Sequence, residues 1–340
     1  MKPSSRDPKG LAVVALAFDD RKEALIQTAI SLAHRFDVSL KLVHVVEPPM
    51  YDTMAVEAPT VISIPAAVLE DVARQIKDRK MEMNALVERI KKNHIDVSGE
   101  VLEGDAIRTI IGSAVNARAN MILTACHPES NRFLPQGLST ALSLMHEAPL
   151  PVLVMGASPL NFEQEGLRIM IADDLQASTR EAVRKSYELA SLAPKSHIRH
   201  VHIHGDFRET LKETWRDLRE KVPGLKELTV TPDSIWREEY EARLLALRRQ
   251  SMPFRLQAEK AKVLIEPDIR TGSVRTELHN VTAEFDPHLC VFGRHRLLRT
   301  RPFLIGRVPL HIMIEERRCV LLVPPREDLY AALPFPAAAE

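Results

Sequence analysis

The chain reads as an α/β protein made of one parallel-sheet unit used twice, and three observations lead there. From Leu289 to Pro325 an apolar run ends at Gly293, a basic loop follows, Gly306 opens a segment of helical spacing, and Cys319 to Val323 is a second apolar run. Strand, loop, helix and strand in that order build a parallel sheet. The same order occurs from Met121 to Met155, where Ala125, Leu138 and Met155 precede Gly293, Gly306 and Val323 by 168 residues each (293 − 125, 306 − 138, 323 − 155). Gly104 and Gly272 keep that offset (272 − 104), so the period is a whole domain.

In the first copy Leu11 to Phe18 is a continuous apolar run, as expected of a central strand covered on both faces, and it ends at Asp19 and Asp20. Ala24, Leu25, Ala29, Leu32 and Ala33 mark the inner face of a helix from Lys22 to Arg35. Ser39 to Val46 is the second strand. Glu47 to Pro65 holds four prolines and is predicted to be an irregular loop, a candidate lid. Leu69, Val72, Ile76, Met83, Leu86 and Ile90 predict one long helix from Val68 to His94. Strand, short helix and strand follow at Val97 to Glu103, Ile107 to Asn116 and Met121 to Ala125.

A polar linker near Ser158 to Gly166 is expected to divide the copies, giving domains 1–157 and 158–325 and a disordered tail 326–340. Leu167 to Ala172, the first strand of copy two, ends at Asp173 and Asp174, which read as a repeat of Asp19 and Asp20 at an offset of 154 (173 − 19). On that reading fourteen residues (168 − 154) are inserted before Gly272, ten of them after the second strand, since His44 and His202 differ by 158. Phe207, Leu211, Trp215, Leu218 and Val222 predict an added amphipathic helix closed by Pro223 and Gly224. A long charged helix from about Ile235 is expected to be interrupted at Pro253.

Acidic and basic residues balance at 46 each, so no global field draws nucleic acid or an anionic membrane. No apolar run approaches a membrane span, and the polar start lacks the apolar core of a signal peptide. Cys126, Cys290 and Cys319 are odd in number and scattered, which fits reduced thiols and a cytoplasmic protein.

A strand ending in Asp, a strand carrying His at its end, and a strand-loop-helix-strand closing in EAPLPVLVM together resemble the universal stress protein family, over nearly the whole chain from Gly10 to Pro325. The resemblance implies two tandem doubly wound domains, each a five-stranded parallel sheet with helices on both faces. It further implies pairing of the two domains through their last strands as an intramolecular pseudo-dimer, a homodimer as a further option, and a regulatory protein partner. Nucleotide-binding members carry G-x2-G-x9-G-[ST] after the fourth strand, where a loop and a helix N-terminus cradle phosphates. In copy two the four positions are Gly293, Arg296, Gly306 and Arg307, of which the two glycines match. Arg296 and Arg307, joined by Arg294, His295, Arg299 and Arg301, could hold an anion through guanidinium groups instead of bare amides, with Asp173 near a base or polar group. In copy one the positions are Ala125, Pro128, Leu138 and Ser139, and only Ser139 fits. Copy one therefore reads as a partner domain.

His200, His202 and His204 share one side of a strand, yet no Cys or carboxylate other than Asp206 joins them at a metal-binding spacing, and no metal is expected. No aromatic residues are interleaved with Arg317 and Arg318, so nucleic acid is not the expected partner. The sequence leads to a non-catalytic stress-response binding module, with ATP or another adenine nucleotide as the candidate ligand of copy two. A slow nucleotide hydrolase or transferase and a purely protein-binding scaffold are the competing classes.

Overall fold

The computed structural model describes residues 10–47, 66–126, 140–163, 166–193, 195–206, 208–222, 231–294 and 307–325. The chain divides into two compact units, the first ending at Glu163 and the second running from Gln164 to Arg326.

The first unit contains β1 (Leu11–Ala15), α1 (Lys22–Phe36), β2 (Ser39–Val46), α2 (Ala66–Lys91), β3 (Val97–Glu103), α3 (Ala106–Asn116), β4 (Met121–Ala125), α4 (Thr140–Glu147) and β5 (Val152–Met155). The strands are parallel in the order β3-β2-β1-β4-β5. The order reverses direction between β1 and β4. Right-handed crossovers then put α1 and α2 on one face and α3 and α4 on the other, leaving a crevice at the carboxyl ends of the central strands. Val13, Val14, Ile122 and Leu123 are wholly buried, which is why these strands read as unbroken apolar runs. Gly104, at φ +142°, turns β3 into α3. Asp105 then caps α3 by accepting from Arg108 N at 2.8 Å. The proline-rich candidate lid falls largely outside the described residues.

Residues 158–163 of the expected linker belong instead to the first unit. Leu160 and Phe162 are buried, Leu160 N donates to Thr28 Oγ1 at 2.9 Å, and Phe162 N donates to Ser31 Oγ at 3.2 Å. Phe162 packs edge-on against Phe36 at 5.2 Å, and Arg35 donates to the carbonyls of Phe162 and Glu163, each at 2.8 Å. The boundary therefore falls after Glu163, because α1 presents a hydroxyl and aromatic face that this strap completes. The tail 326–340 lies outside the described residues.

The second unit contains β6 (Arg168–Ala172), a single 3₁₀ turn (Ala177–Thr179), α5 (Arg180–Leu192), β7 (His197–His204), α6 (Arg208–Lys221), α7 (Pro232–Lys260), β8 (Leu264–Thr271), α8 (Val274–Phe285), β9 (Leu289–Gly293), α9 (Arg307–Ile314) and β10 (Cys319–Val323). Its parallel order, β8-β7-β6-β9-β10, repeats that of the first unit. The predicted added helix is α6. Contrary to expectation, α7 runs through Pro253 without a break. Pro253 and Arg249 are both exposed, so the Arg249 carbonyl that loses its amide partner is open to water. The helix begins before Ile235 because Pro232 occupies its first turn and Thr231 and Ser234 form a capping box.

Strand pairing corrects one detail of the repeat. Val13 pairs with Lys41 and Ile122, and Met170 pairs with Arg199 and Cys290. The first strands are thus offset by 157 (170 − 13), the second by 158 (199 − 41) and the fourth by 168 (290 − 122). Asp173 accordingly matches Leu16 and not Asp19 (173 − 157), and the insertion amounts to eleven residues (168 − 157), not fourteen. Two adjacent carboxylates near a strand end looked like a landmark, but in the first unit they lie beyond the sheet.

Candidate functional site

In the first unit a cleft of about 350 Å³ opens at the carboxyl ends of β1, β2 and β4, lined among others by Asp19, Lys22, His44, Glu47, Thr124 and Thr140. It lies at the reversal of strand order, where open α/β sheets hold ligands. Apolar walls come from Leu16, Leu25, Val43 and Ile110. Asp19 Oδ1 accepts from Arg21 N at 2.9 Å, and the Arg21 guanidinium donates to Cys126 O at 2.6 Å and to Gly156 O. Arg21 thereby ties together the residues that follow β4 and β5. Glu47 Oε1 accepts from Ala106 N at 2.9 Å, so the positive end of α3 already faces a carboxylate. Of the helices that reach the cleft, α1 brings Lys22 and α4 brings its first residue, Thr140.

His44 Nδ1 donates to Leu16 O at 2.8 Å, and Phe18 stands edge-on to the ring at 4.8 Å. Lys22 and Arg79 approach the Phe18 face at 5.5 and 5.0 Å. Burial holds the His44 pKa below the ordinary imidazole value, with Arg79 adding to the effect and the bond to Leu16 opposing it. The ring is neutral at physiological pH.

The second unit uses the same place differently. Asp173 is buried, and its Oδ1 accepts from Thr179 Oγ1 at 2.7 Å, Leu175 N at 2.8 Å and Gln250 Nε2 at 3.2 Å. Its Oδ2 accepts from His200 Nε2 at 2.9 Å. Burial alone would raise the Asp173 pKa, but His200, Thr179 and the Leu175 amide together hold it below the ordinary carboxylate value. A ligand reaching this carboxylate has to displace one of four donors. His202 Nδ1 donates to Asp173 O at 2.8 Å while Arg243 Nη1 donates to its Nε2 at 3.0 Å. Gln250 and Arg243 both come from α7.

Asp173 and Gly293 are brought together through Thr179. A Cβ on Gly293 would lie 2.8 Å from Thr179 Cα and 3.2 Å from Ser178 O. Gly293 has a packing role, since its φ is not left-handed and the glycine makes room for the 3₁₀ turn. Arg307 opens α9, whereas Arg296 and Gly306 lie outside the described residues. Lys22, Glu47 and Thr179 were not singled out from sequence. His44 and Asp19 were noted as markers of the repeat, and those strand-end positions were the signals that led towards the cleft.

The model of the Universal stress protein family matches residues 12–156, the span from β1 to β5. The first unit belongs to the universal stress protein family. Solved structures that carry this family name are similar in fold over most of the chain. The structure of a universal stress protein from Archaeoglobus fulgidus DSM 4304 superposes with a TM-score of 0.61 at 12% identity, covering 94% of this chain and 98% of that one. A protein of Pseudomonas aeruginosa UCBPP-PA14 named for the same family gives 0.56 at 17% identity, covering 94% of each chain. A functionally unknown protein from Pseudomonas aeruginosa PAO1 gives 0.52 at 18% identity over 94% and 93%. At these identities the likeness is one of fold. No curated protein matches the chain in sequence. Among the described residues no helix is long and apolar enough to cross a membrane.

Proposed function

We propose that the chain is a non-catalytic binding module of a cytoplasmic stress response, and that the first unit's cleft takes a small ligand with a polar head and an apolar or aromatic body. The observation that carries this reading is the cleft at the reversal of strand order, whose volume of about 350 Å³ falls within the range of small-molecule sites. Lys22 and the start of α4 favour an anionic head, while Leu16, Leu25, Val43 and Ile110 favour a planar or apolar body. A compact adenine nucleotide has both parts. Asp19 Oδ1 and Glu47 Oε1 each accept a backbone amide, a structural use of both carboxylates that fits a binding role.

The second reading keeps an anion in the second unit, on Arg296, Gly306 and Arg307; Arg307 opens α9, and the start of a helix favours an anion. Titration of the full chain with ATP, AMP and inorganic phosphate, followed by calorimetry and native mass spectrometry, separates the two. Binding lost in Lys22→Ala but kept in Arg296→Ala/Arg307→Ala supports the first-unit cleft. The reverse pattern supports the second unit. No response at millimolar ligand sinks both and leaves a protein-binding scaffold.

A further inference from the structure

Outside the cleft, the second unit carries a cluster that neither reading uses. His279 lies on α8, His311 lies on α9, and Glu316 stands in the turn that ends α9. Their ligand atoms all fall within 4.8 Å of one another. Glu316 Oε1 is hydrogen-bonded to His279 Nδ1 and lies 3.8 Å from His311 Nε2. The backbone fixes Glu316 there, because the Arg317 φ of 53° reverses the chain and Arg318 N returns to Ile312 O at 3.3 Å.

Two features of the cluster point to a cation. Two imidazoles and a carboxylate form the donor set of borderline divalent metals, and zinc held by three protein ligands keeps a position for water. His279, with 56% of its side chain exposed, gives that position access to solvent, whereas His311 and Glu316 retain only 11% and 17% exposure. The second feature is His311 Nδ1, which is buried and has no aligned hydrogen-bond partner, although Glu315 Oε2 is only 2.9 Å away. The nearby carboxylate favours the tautomer that carries its proton on Nδ1. The other nitrogen, Nε2, then presents its lone pair towards Glu316, and two facing acceptors need a proton or a metal between them. Glu315 is itself held by Arg275, at 3.0 and 3.1 Å to its two oxygens. A carboxylate behind a ligating histidine is the usual support of a metal-bound imidazole.

We propose that His279, His311 and Glu316 bind one divalent transition-metal ion, with zinc the reference ion and Glu315 the outer carboxylate that orients His311. The test uses the untagged full chain, stripped with a chelator, titrated with cobalt(II) by visible absorption and back-titrated with zinc. The expected result is one cobalt per chain with the intense bands of a low-coordinate site, displaced by zinc. His279→Ala should weaken binding by at least about tenfold and Glu315→Gln by roughly 10- to 100-fold. His204→Ala, a change among the buried histidines of β7, should leave binding unaltered. His279 is exposed enough for its alanine variant to fold, as circular dichroism can verify. Undiminished cobalt affinity in folded His279→Ala overturns the proposal, as does the absence of stoichiometric uptake by the wild-type chain.

Discussion

Leu16 and Asp173 occupy the same place in their respective sheets. Each donates its backbone N–H to the neighbouring strand, to Val43 O at 2.8 Å and to Val201 O at 2.9 Å. Each accepts at its carbonyl from a histidine Nδ1 at 2.8 Å, His44 in the first unit and His202 in the second. One backbone arrangement thus carries an apolar side chain beside an open cleft and, in the other unit, a carboxylate at the centre of a buried polar network.

Asp173→Ala should therefore be among the costly single changes in the second unit. It leaves His200 Nε2 and the Leu175 amide without their acceptor in a buried place, while Thr179 Oγ1 keeps Gln176 O at 2.9 Å and Asp174 Oδ1 at 3.1 Å. Removing one partner of such a network costs about 3–5 kcal/mol, to be read from urea unfolding. A loss under about 1 kcal/mol would mean that water or Asp174 substitutes freely.

Acidification should weaken the fold in two stages. Burial lowers the pKa values of His44, His202 and His204 in the folded chain. The unfolded chain takes up these protons at about pH 6.5, so it binds more protons than the folded one below that point. Stability is full above pH 6.5 and declines as pH falls through the window beneath it. Asp173 acts later, because its depressed pKa contributes stability that is present above about pH 3.9 and is lost as pH falls below that value. Urea midpoints that are flat between pH 7 and 8 and fall from pH 6.5 towards 5 would bear this out. A rise over the acid limb would refute it.

The two glycine substitutions Gly293→Ala and Gly112→Ala should have opposite signs. At Gly293 a Cβ meets the backbone of Thr179 at 2.8 Å, which is overpacking worth about 1–3 kcal/mol of destabilisation. At Gly112, inside α3, a Cβ meets nothing within 4 Å, so alanine should stabilise by up to about 1 kcal/mol through helix propensity. Thermal melts of the two variants decide the matter directly.

Phe162→Ala should destabilise the first unit by about 3–5 kcal/mol, the usual cost of emptying a buried aromatic site. The ring is fully buried and rests on Phe36. If residues 158–166 acted as a free linker, the change would be silent in a denaturant titration.

Much of this architecture was legible because buried parallel strands advertise themselves. Ser39–Val46, Val97–Glu103, Met121–Ala125 and Cys319–Val323 have the same limits in the structure as the strands read from the sequence. The errors came where a local rule met a tertiary or solvent effect. Pro253 should break a helix, but its exposed face lets water take the orphaned carbonyl. Ser158 to Gly166 looks polar, yet Leu160 and Phe162 are spaced to seal α1. The site was harder to read. Lys22, His44 and Glu47 converge only through the sheet order, and no spacing along the chain announces that meeting. The motif positions Gly293 and Arg307 came from the family resemblance, which marks a loop after the fourth strand without saying which copy keeps an opening.

The strap formed by residues 160–163 bears on any exchange of units between relatives. A graft that joined a foreign second unit at position 158 would strip Thr28, Ser31 and Arg35 of their backbone partners and uncover Phe36. A graft made after Glu163 carries these contacts with it. The seam along which such chimaeras can be cut is set by the aromatic seal on α1 and not by the most polar stretch of sequence.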